Sequence, residues 1–306
     1  MASGAGGAVL VTGATGNVGG AVVRHLLQHD QTVVSAVRDA GDPAIVPGSE
    51  GRAFDFDDSA GWPSVLQGVD RLFLLRPPAI ADVQQKLFPL IDTALSLGVQ
   101  HIVFLSLQGV QFNRATPHHL VEAHLRSVGA PYTFLRPNFF MQNLSTTYRD
   151  DIRDRGQISV PASWARTAFV DTDNVGRVAA RVLTESGHAG RAYTLSGEQS
   201  LNYDAVARIL SDELGYAVRY TRPTAEEYVE RLRAQGAASD YVDVQSMIYR
   251  VVRTNVSAFP NRTIRRLTGS PATTFAEFVH REREVWARPA PGSEGTAAAP
   301  RLTGLE

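Results

Sequence analysis

The chain has 306 residues, is 43% hydrophobic and carries a formal charge of −1, which is ample for one large domain, or a domain with a smaller companion, around a buried core. A charge this close to zero argues against nucleic-acid and membrane-surface proteins, which use a basic surplus. The absence of cysteine excludes disulfides, thiolate metal sites and thiol nucleophiles.

The first residues, MASGAGG, have neither the basic nor the apolar segment of a secretory signal. No apolar run nears the ~20 residues that span a bilayer. The expectation is a cytoplasmic protein that meets neither membrane nor nucleic acid. In chain order, Ala8–Thr12 is an apolar run that stops at a glycine, as a buried strand does. Val18, Ala21, Val22, His25 and Leu26 then recur at helical spacing. β-branched or apolar runs over 32–37, 52–56, 70–75, 101–105 and 132–135 predict five further strands. Between them, 80–97 reads as a helix stopped by Gly98, and 117–128 as a helix with Thr116 as N-cap, Pro117 at its first position and Gly129 beyond its end.

Strands alternating with helices at this rhythm predict an α/β protein built on a parallel sheet flanked by helices. Such sheets bind ligands at the carboxyl ends of their strands. Beyond about residue 145 the rhythm loosens. Short strands are expected at 169–171 and 193–195, and helices at 175–183, 203–214, 224–235 and 241–252. The expected division is a dinucleotide-binding domain over 1–145, with elements near 168–186 packing back on it. A smaller, mostly helical lobe over 146–287 would cover the cleft. A mobile tail rich in Pro, Gly and Ala would follow over 288–306.

The most informative segment lies between the first strand and the first helix: Gly13, Ala14, Thr15, Gly16, Asn17, Val18, Gly19. A glycine loop in that position is a Rossmann-type phosphate cradle. Gly13 permits the tight turn, Gly16 lets the backbone approach a pyrophosphate, and Gly19 lets helix and strand pack closely. The helix start then offers Thr15, Asn17 and Val18 with free N–H groups and a positive dipole end. Arg38 follows the second strand directly. An arginine there clasps a 2′-phosphate and favours NADP(H), while the adjacent Asp39 keeps NAD(H) open through the ribose hydroxyl. Asp57, after the third strand, stands where a carboxylate can accept from the adenine amine; a solvated loop aspartate is the other reading. Leu75 and Arg76 after the fourth strand, and Ser106 and Gln108 after the fifth, are expected at the nicotinamide end.

The spacing G-x-x-G-x-x-G resembles the extended and atypical short-chain dehydrogenase/reductases. The segments VTGATGNVGG, GVDRLFLLRPP, HIVFLSLQGV, GAPYTFLRPNFFMQNL, FVDTDNVGRVAARVL and LTGSPATTFAEFV, in this order over about residues 8–286, resemble the NmrA-like family of that group. The resemblance implies an NAD(P)H-dependent reductase of a quinone-like or conjugated carbonyl compound, in a family with members in secondary metabolism. The same family includes dinucleotide-sensing regulators without turnover. A biosynthetic enzyme using the fold for a non-redox step is a third reading.

Typical short-chain reductases carry Tyr-x-x-x-Lys on the helix after the fifth strand. Here Lys86 is the only lysine, so no such pair exists. His118 and Glu122 stand at that spacing on one helix face. Two readings fit: His118 as a proton donor oriented by Glu122, or a histidine at the pocket rim that assists binding. One helix supplies too few ligands for a metal site, and no metal is expected. An activated acceptor such as a quinone needs little acid assistance, because its oxyanion is delocalised. Asn138, Phe139, Phe140, Met141 and Asn143 follow the sixth strand, and with Gln108, Trp164 and Phe169 they are the candidate walls for an aromatic or conjugated small molecule. Each of these aromatics also fits an inter-lobe core. The helices flanking the sheet leave room for a homodimer, and no stripe in the sequence selects its surface.

Overall fold

The computed structural model describes residues 7–288. Strand β1 (Ala8–Thr12) leads into α1 (Asn17–Gln28), followed by β2 (Val33–Val37), β3 (Glu50–Ala53), α2 (Trp62–Val65), β4 (Val69–Leu75), α3 (Val83–Lys86), α4 (Phe88–Ser96), β5 (His101–Leu105), α5 (Pro117–Ser127) and β6 (Tyr132–Pro137). The chain continues through α6 (Gln142–Ser145), α7 (Arg149–Arg155), β7 (Gln157–Ile158), β8 (Arg166–Thr167), α8 (Thr172–Thr184) and β9 (Arg191–Leu195). It ends with β10 (Leu201–Asn202), α9 (Tyr203–Leu214), β11 (Arg219–Tyr220), α10 (Ala225–Ala234), α11 (Ser239–Arg253), α12 (Thr263–Thr268) and α13 (Phe275–Glu282).

Seven strands form one parallel sheet in the order β3-β2-β1-β4-β5-β6-β9. Both faces of the central strands are covered, which is why β1, β2, β4, β5 and β6 are apolar at most positions rather than at alternate ones. Leu10, Leu72, Leu74, Ile102 and Phe104 face one core, under α2, α4 and α5. Their neighbours Val9, Val11, Phe73, Val103 and Leu105 face the other, under α1 and α8. Helix α8 lies so close on α1 that a Cβ on Gly176 would sit 2.6 Å from the Cβ of Ala21. A third core gathers Ile152, Tyr203, Val206, Leu210, Tyr228, Tyr249, Phe275, Phe278 and Trp286 from the smaller lobe. Buried Asp171 joins the layers. It accepts from Gln142 Nε2 at 2.7 Å, from Arg281 Nη1 at 2.8 Å and, as N-cap of α8, from the Asp173 N–H at 3.0 Å. Among the described residues no helix is long and apolar enough to cross a membrane.

Several local expectations need correction. The helix expected over 80–97 is two helices, because Pro89 lacks the N–H and crowds the carbonyl four residues back. Asp82 caps the first piece by accepting from the Gln85 N–H at 3.1 Å. The third strand is Glu50–Ala53 rather than 52–56; Phe54 and Phe56 instead pack edge to face at 4.8 Å. The strand expected at 169–171 is a single bridge between Val170 and Phe140, since Asp171 turns away to cap α8. The sheet layer also draws on β9, further along the chain than 168–186. Arg288, where the mobile tail was expected to begin, is held: its Nε donates to the Arg153 carbonyl at 2.7 Å and its guanidinium lies 3.7 Å from the Tyr216 ring centre. The rest of that expected tail, 289–306, lies outside the described residues. The N-terminus of α5 follows expectation, with Thr116 accepting from the His119 N–H at 3.3 Å and Pro117 first in the helix.

Candidate active site

The glycine loop joins the carboxyl end of β1 to α1. Gly13 has φ +63°, a left-handed value that side chains resist, and its missing Cβ would lie 3.3 Å from Leu75 Cδ2. A Cβ on Gly19 would stand 2.1 Å from the Gly13 carbonyl oxygen, so only glycine lets α1 start this close to β1. Thr12 pins β1 to β4, its Oγ1 accepting from the Leu75 N–H at 2.8 Å and donating to the Phe73 carbonyl at 3.2 Å. Gly16 is the N-cap of α1, with no side-chain cap bond and no acidic residue in the first turn. The positive helix end is therefore offset by no carboxylate of its own first turn. Thr15 and Asn17 are exposed on the loop, whereas the Val18 side chain is buried in the core and leaves only its backbone for a ligand.

Arg38 is exposed after β2 and has no hydrogen-bond or ion-pair partner among the described residues. Asp39 is turned back into its own loop, where Oδ1 accepts from the Gly41 N–H at 2.9 Å. The cation rather than the carboxylate is thus presented. Asp57 is ion-paired with Lys86, so one of its oxygens already has a partner. Leu75 lies beside Gly13. Arg76 folds over the next loop, its Nη1 donating to the carbonyls of Pro77, Pro78 and Ile80 at 3.0, 3.1 and 2.6 Å.

The His118–Glu122 pair is not a dyad. Glu122 is 1% exposed and saturated by other donors. Ser106 Oγ reaches Oε1 at 2.7 Å, Arg136 clasps both oxygens at 2.9 and 2.6 Å, and Arg126 reaches Oε2 at 2.9 Å. Burial alone would raise the Glu122 pKa, but the bonds from Arg136 and Ser106 and the Arg136 charge outweigh it and hold the carboxyl low. His118 contacts Phe104 instead, ring centres 6.0 Å apart. Burial, reinforced by the Arg76 charge, pushes its pKa down to about 3. A neutral imidazole with no hydrogen bond to a carboxylate, the Glu122 charge offsetting only part of the burial, is not an acid poised near neutrality. Ser106, expected at the cofactor, is a buried donor to Glu122.

Of the expected walls, Phe139, Asn143 and Phe169 line a small cavity, open to solvent, together with Leu144, Thr147, Tyr148, Tyr203, Gln245, Ile248 and Tyr249. Met141 lines a neighbouring hollow with Phe169 and Phe275. Phe140 packs into the sheet core. Asn138 is fully engaged, Nδ2 donating to the Ser257 carbonyl and Oδ1 accepting from the Phe139 N–H, both at 2.8 Å. Gln108 Nε2 donates to the Val256 carbonyl at 3.1 Å, while its Oε1 is buried without a hydrogen-bond partner. Trp164 is 66% exposed, with Arg222 stacked 3.8 Å from its ring centre, and lies outside the cavity wall. Sequence reasoning missed Tyr148, Tyr203, Gln245 and Tyr249. They are spread over a hundred residues, and the one available signal was that a tyrosine on an apolar helix face needs a partner for its hydroxyl.

The model of the NmrA-like family matches residues 6–278. The chain belongs to the NmrA-like family. An NmrA-like relative, the NAD(P)H azoreductase of Xenophilus azovorans, is 32% identical over 279 residues, covering 89% of this chain and 96% of that protein. The NADPH-dependent quinone oxidoreductase of Escherichia coli, solved with NADPH, superposes with a TM-score of 0.80 at 25% identity over 89% of this chain and 99% of that one. The triphenylmethane reductase of Citrobacter sp., at 24% identity, shares the fold with a TM-score of 0.79 over 90% of this chain and 99% of that chain. In this NmrA-like chain a buried ion cluster ties α5 to the end of β5 and to β6.

Proposed function

We propose that the chain holds NADP(H) along the carboxyl edge of its sheet and reduces a flat quinone-like or conjugated-carbonyl small molecule. The observation that carries this reading is the cavity at the end of β6, walled by Phe139 and Phe169 and edged by tyrosine hydroxyls. It adjoins the β4–β6 half of the sheet, opposite the half that carries the glycine loop and Arg38. In doubly wound sheets a dinucleotide crosses from one half to the other, which directs its nicotinamide end towards this cavity.

The loop fits the cofactor: a left-handed Gly13, a Gly19 that admits no side chain, an α1 start without a side-chain cap, and an unpaired Arg38. Arg38 would hold the 2′-phosphate, the start of α1 the pyrophosphate, and Leu75 would wall the cleft. Bound there, the cofactor supplies a hydride. Phe139 and Phe169 orient a planar acceptor and keep water from its face. With Glu122 locked and His118 neutral, the acceptor must delocalise its own developing charge. The names of the azoreductase and quinone oxidoreductase relatives support this class.

The test is NADPH consumption with a panel of quinones, enones and azo dyes. Turnover with at least one supports the reading. Tight NADPH binding without oxidation by any acceptor overturns it in favour of a dinucleotide-binding regulator. Replacing Arg38 by alanine is expected to weaken NADPH by roughly 10–100-fold, the worth of charge-assisted phosphate bonds, and NADH far less. Equal losses for both would remove the phosphate clasp. His118→Asn is expected to leave the shape of the pH–rate profile unchanged between about pH 5 and 8, because the imidazole is already neutral there. A loss of ~100-fold or more together with the disappearance of one limb would restore His118 as the acid.

A further inference from the structure

Four tyrosines from separate parts of the smaller lobe bring their hydroxyls together beside the cavity. Tyr148 caps α7, Tyr203 opens α9, Tyr228 is on α10 and Tyr249 on α11. Tyr148 and Tyr249 share a hydrogen bond of 2.5 Å between their hydroxyls. The Tyr228 ring packs edge to face on that of Tyr249, ring centres 5.5 Å apart. Tyr228 donates to Gln245 Oε1 at 3.2 Å. Tyr203, Tyr228, Gln245 and Tyr249 are each at most 3% exposed. Tyr148, Tyr203, Gln245 and Tyr249 line the cavity, whereas Tyr228 stands behind the lining.

Burying a hydroxyl costs ~1–3 kcal/mol unless it is bonded, so a pocket meant only for apolar matter is better walled with phenylalanine. This cavity is lined by Phe139 and Phe169 and also by Tyr148, Tyr203 and Tyr249. Gln245 Oε1 can only accept, so the Tyr228 proton is committed to it, whereas the Tyr148–Tyr249 bond uses one hydroxyl proton and leaves the other for a ligand.

We infer that the Tyr148–Tyr249 pair, backed by Tyr228 with Gln245, binds an oxygen atom of the substrate and selects oxygen-bearing aromatic acceptors, such as hydroxyquinones, over oxygen-free ones of similar size. This rests on the proposed function. Burial holds the Tyr148 and Tyr249 phenols well above the ordinary tyrosine pKa, so they stay protonated and act as hydrogen-bonding groups rather than as acids. They are positioning residues: they fix one end of the acceptor while its other end lies over the reacting face.

The test compares 2-hydroxy-1,4-naphthoquinone with oxygen-free 4-dimethylaminoazobenzene in the wild type, Tyr148→Phe and Tyr249→Phe, all with NADPH. Removing one neutral hydrogen bond is expected to raise KM for the hydroxyquinone about 5–10-fold with little change in kcat. The KM for the dye, or its inhibition constant if it is not turned over, should stay unchanged. Equal effects on both compounds, or a collapse of kcat with KM unchanged, overturn the anchor. Tyr228→Phe, outside the lining, should shift the same ratio in the same direction but less; no shift in any of the three variants also overturns it. Calorimetric binding of the two compounds to wild type and Tyr148→Phe reads the anchor without turnover. A wild type inert towards every acceptor therefore sinks the proposed function while leaving the anchor to stand or fall on binding.

Discussion

Glu122→Ala is expected to lower the melting temperature by about 6–10 °C, the consequence of ~3–5 kcal/mol lost when one partner of a buried ion pair is removed. Glu122 is where three elements meet: Ser106 after β5, Arg126 on its own helix and Arg136 on β6. Arg126 keeps 41% of its side chain in water and contributes little beyond the ordinary surface pair. Arg136 keeps 13%, so its guanidinium would be left buried without a counter-ion. Glu122→Gln preserves the shape but turns an amide N–H towards a cation, and is expected to recover only part of the loss.

The pH dependence has a definite sign. The native carboxyl is held below its unfolded value, so the stabilisation is complete above the unfolded carboxylate pKa of about 4.3 and fades as pH falls through the lower native value. The gap in melting temperature between wild type and Glu122→Ala should therefore be constant near neutrality and narrow in acid. Calorimetric scans at neutral and acid pH check this. A shift under ~2 °C, well below one buried pair, would mean that Glu122 is not the keystone of this joint.

Gly19→Ala is expected to weaken NADPH by on the order of 100-fold, since a displaced helix start costs at least what an overpacked core does. The added methyl would stand 2.1 Å from the Gly13 carbonyl oxygen, a backbone atom that cannot swing aside. Helix α1 or the loop must move, and the proposed phosphate cradle is made of those two pieces. The adjacent Gly20 supplies the control. A Cβ there meets its nearest atom, the Ala14 carbonyl oxygen, at 3.4 Å, an ordinary contact. Gly20→Ala should retain NADPH binding and, in a helix interior, gain up to roughly 1 kcal/mol of stability. Fluorescence titration of NADPH with both variants decides the matter. Equal affinity in the two would show that the close approach at Gly19 is not what shapes the loop.

The central strands were legible because both their faces are buried, so each is a short apolar run bounded by a turn; the exposed edge strand β3 is not, and was misplaced. The glycine loop was legible because its geometry rests on backbone constraints between residues near in sequence. Helix 80–97 was misread because its apolar periodicity continues across Pro89, and the break follows from one missing N–H. The expected strand at 169–171 failed for a tertiary reason: Asp171 is drawn to Gln142 and Arg281. His118 and Glu122 show the same limit. Their i, i+4 spacing placed them on one face, but spacing cannot say which neighbour reaches the carboxylate first. Arg136, on a different strand, does.

The amino-acid sequence by itself determined the α/β architecture, the glycine loop after the first strand, the place of Arg38 directly after β2 and the absence of any Tyr-x-x-x-Lys. These depend on local periodicity, on backbone freedom at two or three glycines and on having a single lysine in the chain. Only the tertiary structure decided what replaces the missing pair and where the cavity's polar edge lies. An ion cluster across α5, β5 and β6, and a hydroxyl cluster across α7, α9, α10 and α11, are made by side chains distant in sequence. Burial, which sets their charge states and their partners, exists only once the chain has folded.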